Sequence, residues 1–187
     1  MEITNKKGLV EFIKKYGMYV VVGLVIFAVA LTFTLAATLS QTTPTSVETY
    51  TFSLPMTDAV VVKDYSDTAL QKNETLNQWE SHMAIDLSSQ NDDVYSVLPG
   101  QVMKVEYDFL NGNSVTIRHP NGFVSTYSSL SADELIHEGE KVAAGDKIGK
   151  ASQSASGELD KGAHLHFTLS LNDKIVDPND YLDLQQK

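Results

Sequence analysis

The sequence contains no cysteine, so the chain can form neither a disulfide nor a thiolate metal site. Basic residues are also scarce: 14 Lys and Arg stand against 24 Asp and Glu, a net charge of −10. Without the four lysines and two glutamates that precede residue 16, 10 basic and 22 acidic residues remain, a net charge of −12. Such a surface repels the phosphate backbone, which argues against nucleic acid as a partner.

Charged side chains are absent from residues 16–39. A helix of this length spans roughly 36 Å, enough for a hydrocarbon core of about 30 Å. Lys6, Lys7, Lys14 and Lys15 precede the stretch, and the next basic residue is Lys63. This asymmetry predicts a cytoplasmic N-terminus and an external C-terminal part. The alternative is a cleaved signal peptide ending near residues 36–37, but its apolar core is normally shorter, about 7–15 residues.

Residues 40–50 are polar and rich in Thr and Ser, which is typical of a linker. The sequence therefore predicts four parts. They are a cytoplasmic N-terminus at 1–15, a transmembrane helix at 16–39, a linker at 40–50 and an external domain at 51–187.

The external part consists of short alternating runs separated by turn signals. Residues 101–107 alternate apolar and polar side chains, and turns of the Asn-Gly type flank the run at 115–118. This pattern predicts a mostly β domain of antiparallel sheet with little helix. Residues 63–81 and the Ser-rich residues 151–162 lack alternation and are predicted loops, with Trp79 as a packing residue.

Three of the five histidines fall in two short motifs, His82-x-x-x-Asp86 and His164-x-His166. On a strand, side chains two or four residues apart face the same side. Two neighbouring strands could therefore bring three ligands to one ion, and imidazole and carboxylate are common zinc ligands. An ordinary polar contact is the alternative. His119 and His137 lie in polar, turn-like contexts and are predicted surface residues.

Several motifs in the same order resemble the LytM/lysostaphin family of zinc endopeptidases. They occupy residues 82–87, 94–102, 112–119, 127–130, 138–149, 162–167 and 176–182. The resemblance runs from about residue 55 to 182. It implies a LytM-type β domain that holds Zn²⁺ through His82, Asp86 and His166, with His164 as a catalytic histidine beside the metal.

The second catalytic histidine of the family belongs in a Tyr-x-His-Leu motif, which here reads Tyr127-Ser-Ser129-Leu130. Ser129 therefore occupies the slot of the missing histidine. A serine hydroxyl is not a base near neutral pH, whereas histidine titrates there. Proton transfer by a well-placed group contributes roughly 10²–10⁴-fold in rate. The expectation is a retained zinc site with very weak endopeptidase activity or none.

The anchor, the short linker and the Tyr-Ser-Ser-Leu motif together resemble a sporulation member of this family. The resemblance implies a forespore membrane protein that docks a mother-cell membrane protein across the intermembrane space. Such a protein would support engulfment and a channel, as part of a ring-forming hetero-oligomer. The alternative is a working zinc endopeptidase that cleaves peptidoglycan cross-links. Ser129 argues against the alternative, and the retained ligands keep it open.

Overall fold

A computed structural model describes residues 3–39 and 51–184, with helix side chains described at 10–12 and 14–30. The chain divides into two units, residues 1–49 and 50–187. The predicted linker at 40–50 lies outside the described residues.

Within the described residues 3–39 of the first unit, the structure has one helix, α1 (Ile3–Leu39). Its described side chains include the predominantly apolar run 18–29, where the large apolar side chains are about half exposed or more. No helix within the described residues is both long enough and apolar enough to cross a membrane. The transmembrane helix at 16–39 therefore stays a prediction.

The second unit is built of short strands. Within residues 51–184 the structure describes β1 (Val60–Lys63), β2 (Ser66–Asn73), β3 (Gln78–His82), β4 (Ile85–Ser88), β5 (Asp93–Tyr95), β6 (Gly100–Asp108), β7 (Gly112–Arg118), β8 (Phe123–Leu130), β9 (Lys141–Val142), β10 (Lys147–Lys150), β11 (Leu165–Leu171) and β12 (Lys174–Val176). The same described range also contains three 3₁₀ turns, at Pro120–Gly122, Ser156–Lys161 and Pro178–Asp180.

Eight of these strands form one sheet in the order β1-β4-β11-β8-β7-β6-β9, with β12 also paired to β11. The strands β2 and β3 form a separate hairpin, and β5 pairs with β10. Every one of these pairings is antiparallel. The prediction of a mostly β domain of antiparallel sheet is confirmed.

The turn between β6 and β7 shows how local sequence sets the register. Asp108 Oδ1 accepts hydrogen bonds from the backbone N–H groups of Leu110 and Asn111, both at 2.9 Å. Gly112 then has a φ of +73°, a conformation that glycine adopts without a Cβ clash. The Asn-Gly signal in the sequence therefore does mark a hairpin.

The core is one apolar cluster, formed by inward-facing positions of the large sheet and the segments that cover it. Its members are Met56, Ile85, Leu87, Val94, Val97, Leu98, Val102, Val115, Ile117, Tyr127, Leu130, Val142, Ile148, Ala151, Leu165, Phe167, Leu169 and Leu182. Tyr127 is fully buried, and its hydroxyl oxygen accepts from the Val97 N–H at 2.9 Å. Burial raises the pKa of Tyr127 to about 12. The rigid core supports the polar residues on β4, β8 and β11.

Two predictions about residues 63–81 are wrong. The segment is not a loop, since it contains β2 and β3. These strands leave most side chains of both faces exposed, so an apolar–polar alternation is not required of them. Trp79 is 66% exposed and therefore does not pack in the core.

His119 is buried, so its prediction as a surface residue is wrong. Its Nδ1–H donates to the Pro99 carbonyl at 3.0 Å, and its Nε2 accepts from the Ser125 hydroxyl at 2.6 Å. Burial lowers the pKa of His119 more than the bond to Pro99 raises it. These two partners explain how a polar turn-like motif can be buried. His137 is exposed, as predicted.

Candidate metal centre

A row of polar side chains crosses four strands of the large sheet. Asp86 on β4 is paired with Lys63 on β1 and with His166 on β11, and His166 is paired with Ser128 on β8. Directly opposed residues on antiparallel strands project to the same face. The register therefore places the Asp86 and His166 side chains beside each other.

The three predicted metal ligands converge at this point. His166 Nδ1 lies 2.8 Å from Asp86 Oδ1, and His82 Nε2 lies 3.3 Å from the same oxygen. The centroids of the two imidazole rings are 5.3 Å apart. Asp86 is fully buried and His82 is 4% exposed. The structure thus brings His82, Asp86 and His166 together, although their role as ligands stays a prediction.

Glu158 joins this group and was not identified from the sequence. Its Oε2 lies 3.0 Å from His166 Nδ1, and its Oε1 lies 3.8 Å from His82 Nε2. One ligand atom from each of His82, Asp86, Glu158 and His166 lies within 4.8 Å of the others. Glu158 and Asp160 are both acidic residues of the Ser-rich segment 151–162, and no spacing in the sequence distinguishes them.

The group has unmet bonding capacity that fits a cation. His82 Nδ1–H donates to the Asp64 carbonyl at 2.9 Å, which directs the Nε2 lone pair toward the group. His82 Nε2 and Asp86 Oδ2 are buried and have no hydrogen-bond partner among the residues that the structure describes. Leaving a buried acceptor unpaired costs about 1–3 kcal/mol, which a bound metal ion would remove. Two imidazole nitrogens and two carboxylate oxygens form a donor set that suits zinc.

The charges of the histidines and the carboxylates stabilise one another. Burial raises the pKa of Asp86, but the hydrogen bond from His166 and the neighbouring His82 ring together lower it by more, so the net shift is downward. Burial raises the pKa of Glu158, but hydrogen bonds from His164 and His166 lower it by much more, so the net shift is strongly downward. For His166, burial lowers the pKa, while Asp86 and Glu158 raise it to about 9. A metal ion would compete with this proton for the same nitrogen.

His164, the predicted catalytic histidine, contacts the group through Glu158. It is fully buried; its Nδ1–H donates to the Gly162 carbonyl at 2.9 Å, and its Nε2 lies 3.3 Å from Glu158 Oε2. Burial lowers the pKa of His164, whereas the hydrogen bond to Glu158 raises it, and the net shift is upward. His164 therefore supports the Glu158 carboxylate, while its catalytic role is untested.

Ser129 has a structural role that accounts for its conformation. It is fully buried with a φ of +62°, and its hydroxyl donates to the Ser152 carbonyl at 2.8 Å. The backbone N–H and hydroxyl of Ser152 donate back to the Ser129 carbonyl at 2.7 and 2.9 Å. The side chain in the slot of the missing histidine thus fixes the start of segment 151–162.

A groove of about 370 Å³ opens beside the group of His82, Asp86, Glu158 and His166. His82, Glu158 and His166 contribute to its lining. The other lining residues come mainly from the β2–β3 hairpin, the β6–β7 turn and strands β11 and β12, namely Asn73, Leu76, Gln78, Glu80, Ser81, Met83, Leu110, Asn111, Gly157, Thr168 and Ile175. The groove gives the group access to a ligand or to a partner chain.

Residues 80–178, more than half of the chain, match Peptidase family M23. The match includes both histidine motifs, the Tyr-Ser-Ser-Leu segment and Glu158. The chain belongs to this peptidase family.

The similar proteins include a sporulation protein. Stage II sporulation protein Q of Bacillus subtilis is 30% identical over 144 residues, which cover 70% of this chain and 50% of that protein. The chain thus spans about half the length of this curated relative. The sequence resemblance to a sporulation member of the family, SpoIIQ, is confirmed.

Solved structures agree with the match to the peptidase family and with the similarity to the sporulation protein. A chain in the structure of the SpoIIQ–SpoIIIAH pore forming complex is 26% identical with a TM-score of 0.62, covering 72% of this chain and 92% of that chain. A zinc containing peptidase from Vibrio cholerae is 23% identical with a TM-score of 0.54, covering 75% of this chain and 38% of that chain. The second likeness shows the shared fold.

Proposed function

We propose that this chain is a membrane-anchored sporulation protein whose M23 domain docks a SpoIIIAH-like protein of an opposed membrane. The observation that carries the proposal is the likeness to a chain of the SpoIIQ–SpoIIIAH complex, at a TM-score of 0.62 over 92% of that chain. The likeness covers a whole domain, so it supports a shared backbone on which a docking surface would lie.

The proposed membrane arrangement rests on the charge pattern of the sequence. Residues 16–39 carry no charge and would anchor the protein in the forespore membrane. The lysines before this stretch favour a cytoplasmic N-terminus, which leaves residues 51–187 in the space facing the mother cell. There the docked pair would join a ring-forming hetero-oligomer that supports engulfment and a channel.

A binding titration tests the docking role. The external part of the SpoIIIAH-like protein from the same genome is titrated into the full chain in a mild detergent. We expect saturable binding that a folded Ser129→His variant retains, because docking depends on the domain surface and not on a base at this buried position. Absence of binding by a folded protein would contradict the docking role.

We also propose that His82, Asp86 and His166 hold Zn²⁺. The buried and unpaired His82 Nε2 and Asp86 Oδ2 support this assignment. Bound zinc supplies Lewis-acid chemistry and a fixed positive centre. The remaining steps of peptide hydrolysis would fall to protein groups, and there Ser129 supplies no base.

Metal analysis tests the ligand assignment. The purified chain should carry close to one zinc ion per molecule. His82→Ala should lose most of it, because it removes one of the two imidazole nitrogens assigned to the ion. His137→Ala, a change at an exposed histidine, is the matched control and should retain the metal. A chain that neither carries nor takes up zinc would contradict the assignment.

The second candidate function is a zinc endopeptidase that cleaves peptidoglycan cross-links. The specific observation in its favour is the intact group of His82, Asp86 and His166 beside an open groove. His164 would have to act as the proton-transferring group. Against this role, its Nε2 faces Glu158 and its Nδ1 faces the Gly162 carbonyl.

A further inference from the structure

We propose that Glu158 is a fourth protein ligand of the metal centre and closes the position that a catalytic zinc site keeps open. The inference rests on the proposed zinc site and specifies its chemistry. Structural zinc sites commonly have four protein ligands, whereas catalytic sites have three and leave one position for water or substrate. The choice between these classes therefore depends on Glu158.

The Glu158 carboxylate is directed into the centre of the group. Its two oxygens lie 3.0 Å from His166 Nδ1 and 3.8 Å from His82 Nε2, the nitrogens assigned to the metal. The residue is 9% exposed, so its carboxylate is largely removed from water. A buried carboxylate among the ligand atoms of a metal site is placed to bind the ion itself.

The 3₁₀ turn that carries Glu158 is fixed to two hairpins. The Gly157 N–H donates to the Leu110 carbonyl at 3.0 Å, and the Asn73 side-chain amide donates to the Gly157 carbonyl at 3.0 Å. Nearby, the Thr75 hydroxyl donates to Asp160 at 2.6 Å. These bonds join the turn to the β2–β3 hairpin and to the β6–β7 turn. The carboxylate is therefore held in place by its backbone.

Lys63 balances the additional negative charge. Its Nζ is buried, 3.9 Å from Glu158 Oε1 and 3.7 Å from Glu80 Oε1, and has no hydrogen-bond partner within the described part of the chain. With a divalent ion bound, the charges of Asp86 and Glu158 match those of the ion, and Lys63 matches Glu80. The arrangement is electrically neutral with Glu158 ionised as a ligand, which favours binding without a further anion.

A closed centre also explains why a serine, Ser129, can stand in the slot of the family's second catalytic histidine. Without an open position on the metal, a base beside it has no water to activate. The bound ion would instead join the β2–β3 hairpin through His82, the large sheet through Asp86 and His166, and segment 151–162 through Glu158. Zinc would then act as a cross-link that fixes the walls of the groove.

Cobalt substitution tests the coordination directly. The full chain in detergent is loaded with Co²⁺, and its visible absorption spectrum is recorded with and without acetohydroxamate, a small metal-binding probe. We expect the unmodified chain to give a four-coordinate spectrum that acetohydroxamate does not change. Glu158→Ala should give a spectrum that responds to the probe, and its zinc dissociation constant should rise at least about tenfold.

Glu80→Gln is the matched control, because it removes a nearby negative charge without removing a proposed ligand. Its spectrum should stay insensitive to the probe. A probe-sensitive spectrum of the unmodified chain, or equal loss of zinc affinity in Glu158→Ala and Glu80→Gln, would overturn the inference. If Glu158→Ala fails to fold, Glu158→Gln is measured by the same criteria. Absence of any metal uptake would overturn the zinc site as well, whereas the partner titration would still report on docking.

Discussion

Ser129 and Glu158 are the two residues whose chemistry departs from that of an open catalytic site. The Ser129 hydroxyl is committed to the Ser152 carbonyl, and the Glu158 carboxylate lies among the proposed ligand atoms. Ser129 supplies no base, and Glu158 as a ligand leaves no coordination position on the ion for water. Restoring only the base or only the open metal position should therefore give little endopeptidase activity.

Paired substitutions test this dependence. Ser129→His alone should leave peptidoglycan digestion near background, because Glu158 still closes the centre. The double variant Ser129→His, Glu158→Ala should digest more than either single variant, if substrate enters the groove. Proton transfer is worth roughly 10²–10⁴-fold, so recovery should be measurable by release of labelled fragments. Strong activity of Ser129→His alone would contradict a closed centre.

His119 gives the domain a specific pH dependence. Its pKa is lowered in the folded state by burial, from an ordinary value of about 6.5. Below that pH the unfolded chain binds a proton on this residue that the folded chain does not. The stability due to neutral His119 is therefore present above about pH 6.5 and is lost as the pH falls toward the lowered pKa, at most about 1.4 kcal/mol per pH unit.

The measurement is the free energy of unfolding between pH 7.5 and 5.5. His119→Asn should flatten the pH slope relative to the unmodified chain, since the titrating group is gone. His137→Asn changes an exposed histidine and serves as the control, with the slope retained. Identical slopes for His119→Asn and the unmodified chain would show that His119 does not contribute.

Among the elements, the β6–β7 turn and segment 151–162 depend on each other. Gly112 has a φ of +73°, and a Cβ there would collide with the Ser154 side chain and lie 2.7 Å from the Ser154 carbonyl carbon. Ser154 also donates its hydroxyl to the Leu130 carbonyl at 2.8 Å. The close approach of these backbones helps to set the position of the turn with Glu158.

Gly112→Ala should therefore affect both stability and metal binding. The left-handed backbone costs about 1–2 kcal/mol for alanine, and overpacking adds typically about 1–3 kcal/mol. Gly139→Ala is the matched control, with a φ of +86° and no atom within 4 Å of the added Cβ. Denaturant titration should show the larger loss for Gly112→Ala, together with weaker zinc binding. Equal losses would show that the two segments do not depend on this contact.

The elements also show how far the sequence could predict the structure. Strands β6 and β7 could be predicted because apolar residues of each pack on the core and the turns beside them carry local signals. The β2–β3 hairpin was missed because exposure of both faces removes the alternation. His82, Asp86 and His166 were predictable from the motifs, but Glu158 reaches the group through backbone bonds to distant residues, which leave no local pattern.

For the whole molecule, the charge asymmetry around residues 16–39 predicts which side of the membrane the domain occupies. Protease added to intact protoplasts should digest a C-terminal tag, because residues 51–187 are predicted to be external. A tag at the N-terminus is the control and should be protected until the membrane is opened. Protection of the C-terminal tag would contradict the orientation and the proposed docking across the intermembrane space.

The central claim is that a peptidase fold here serves docking and not turnover. The most direct measurement is the release of soluble fragments from purified peptidoglycan by the full, zinc-loaded chain, compared with His164→Ala. The account predicts that the unmodified chain releases no more than the His164→Ala variant. Rapid release by the unmodified chain that is lost in His164→Ala would contradict the account and identify the protein as a working endopeptidase.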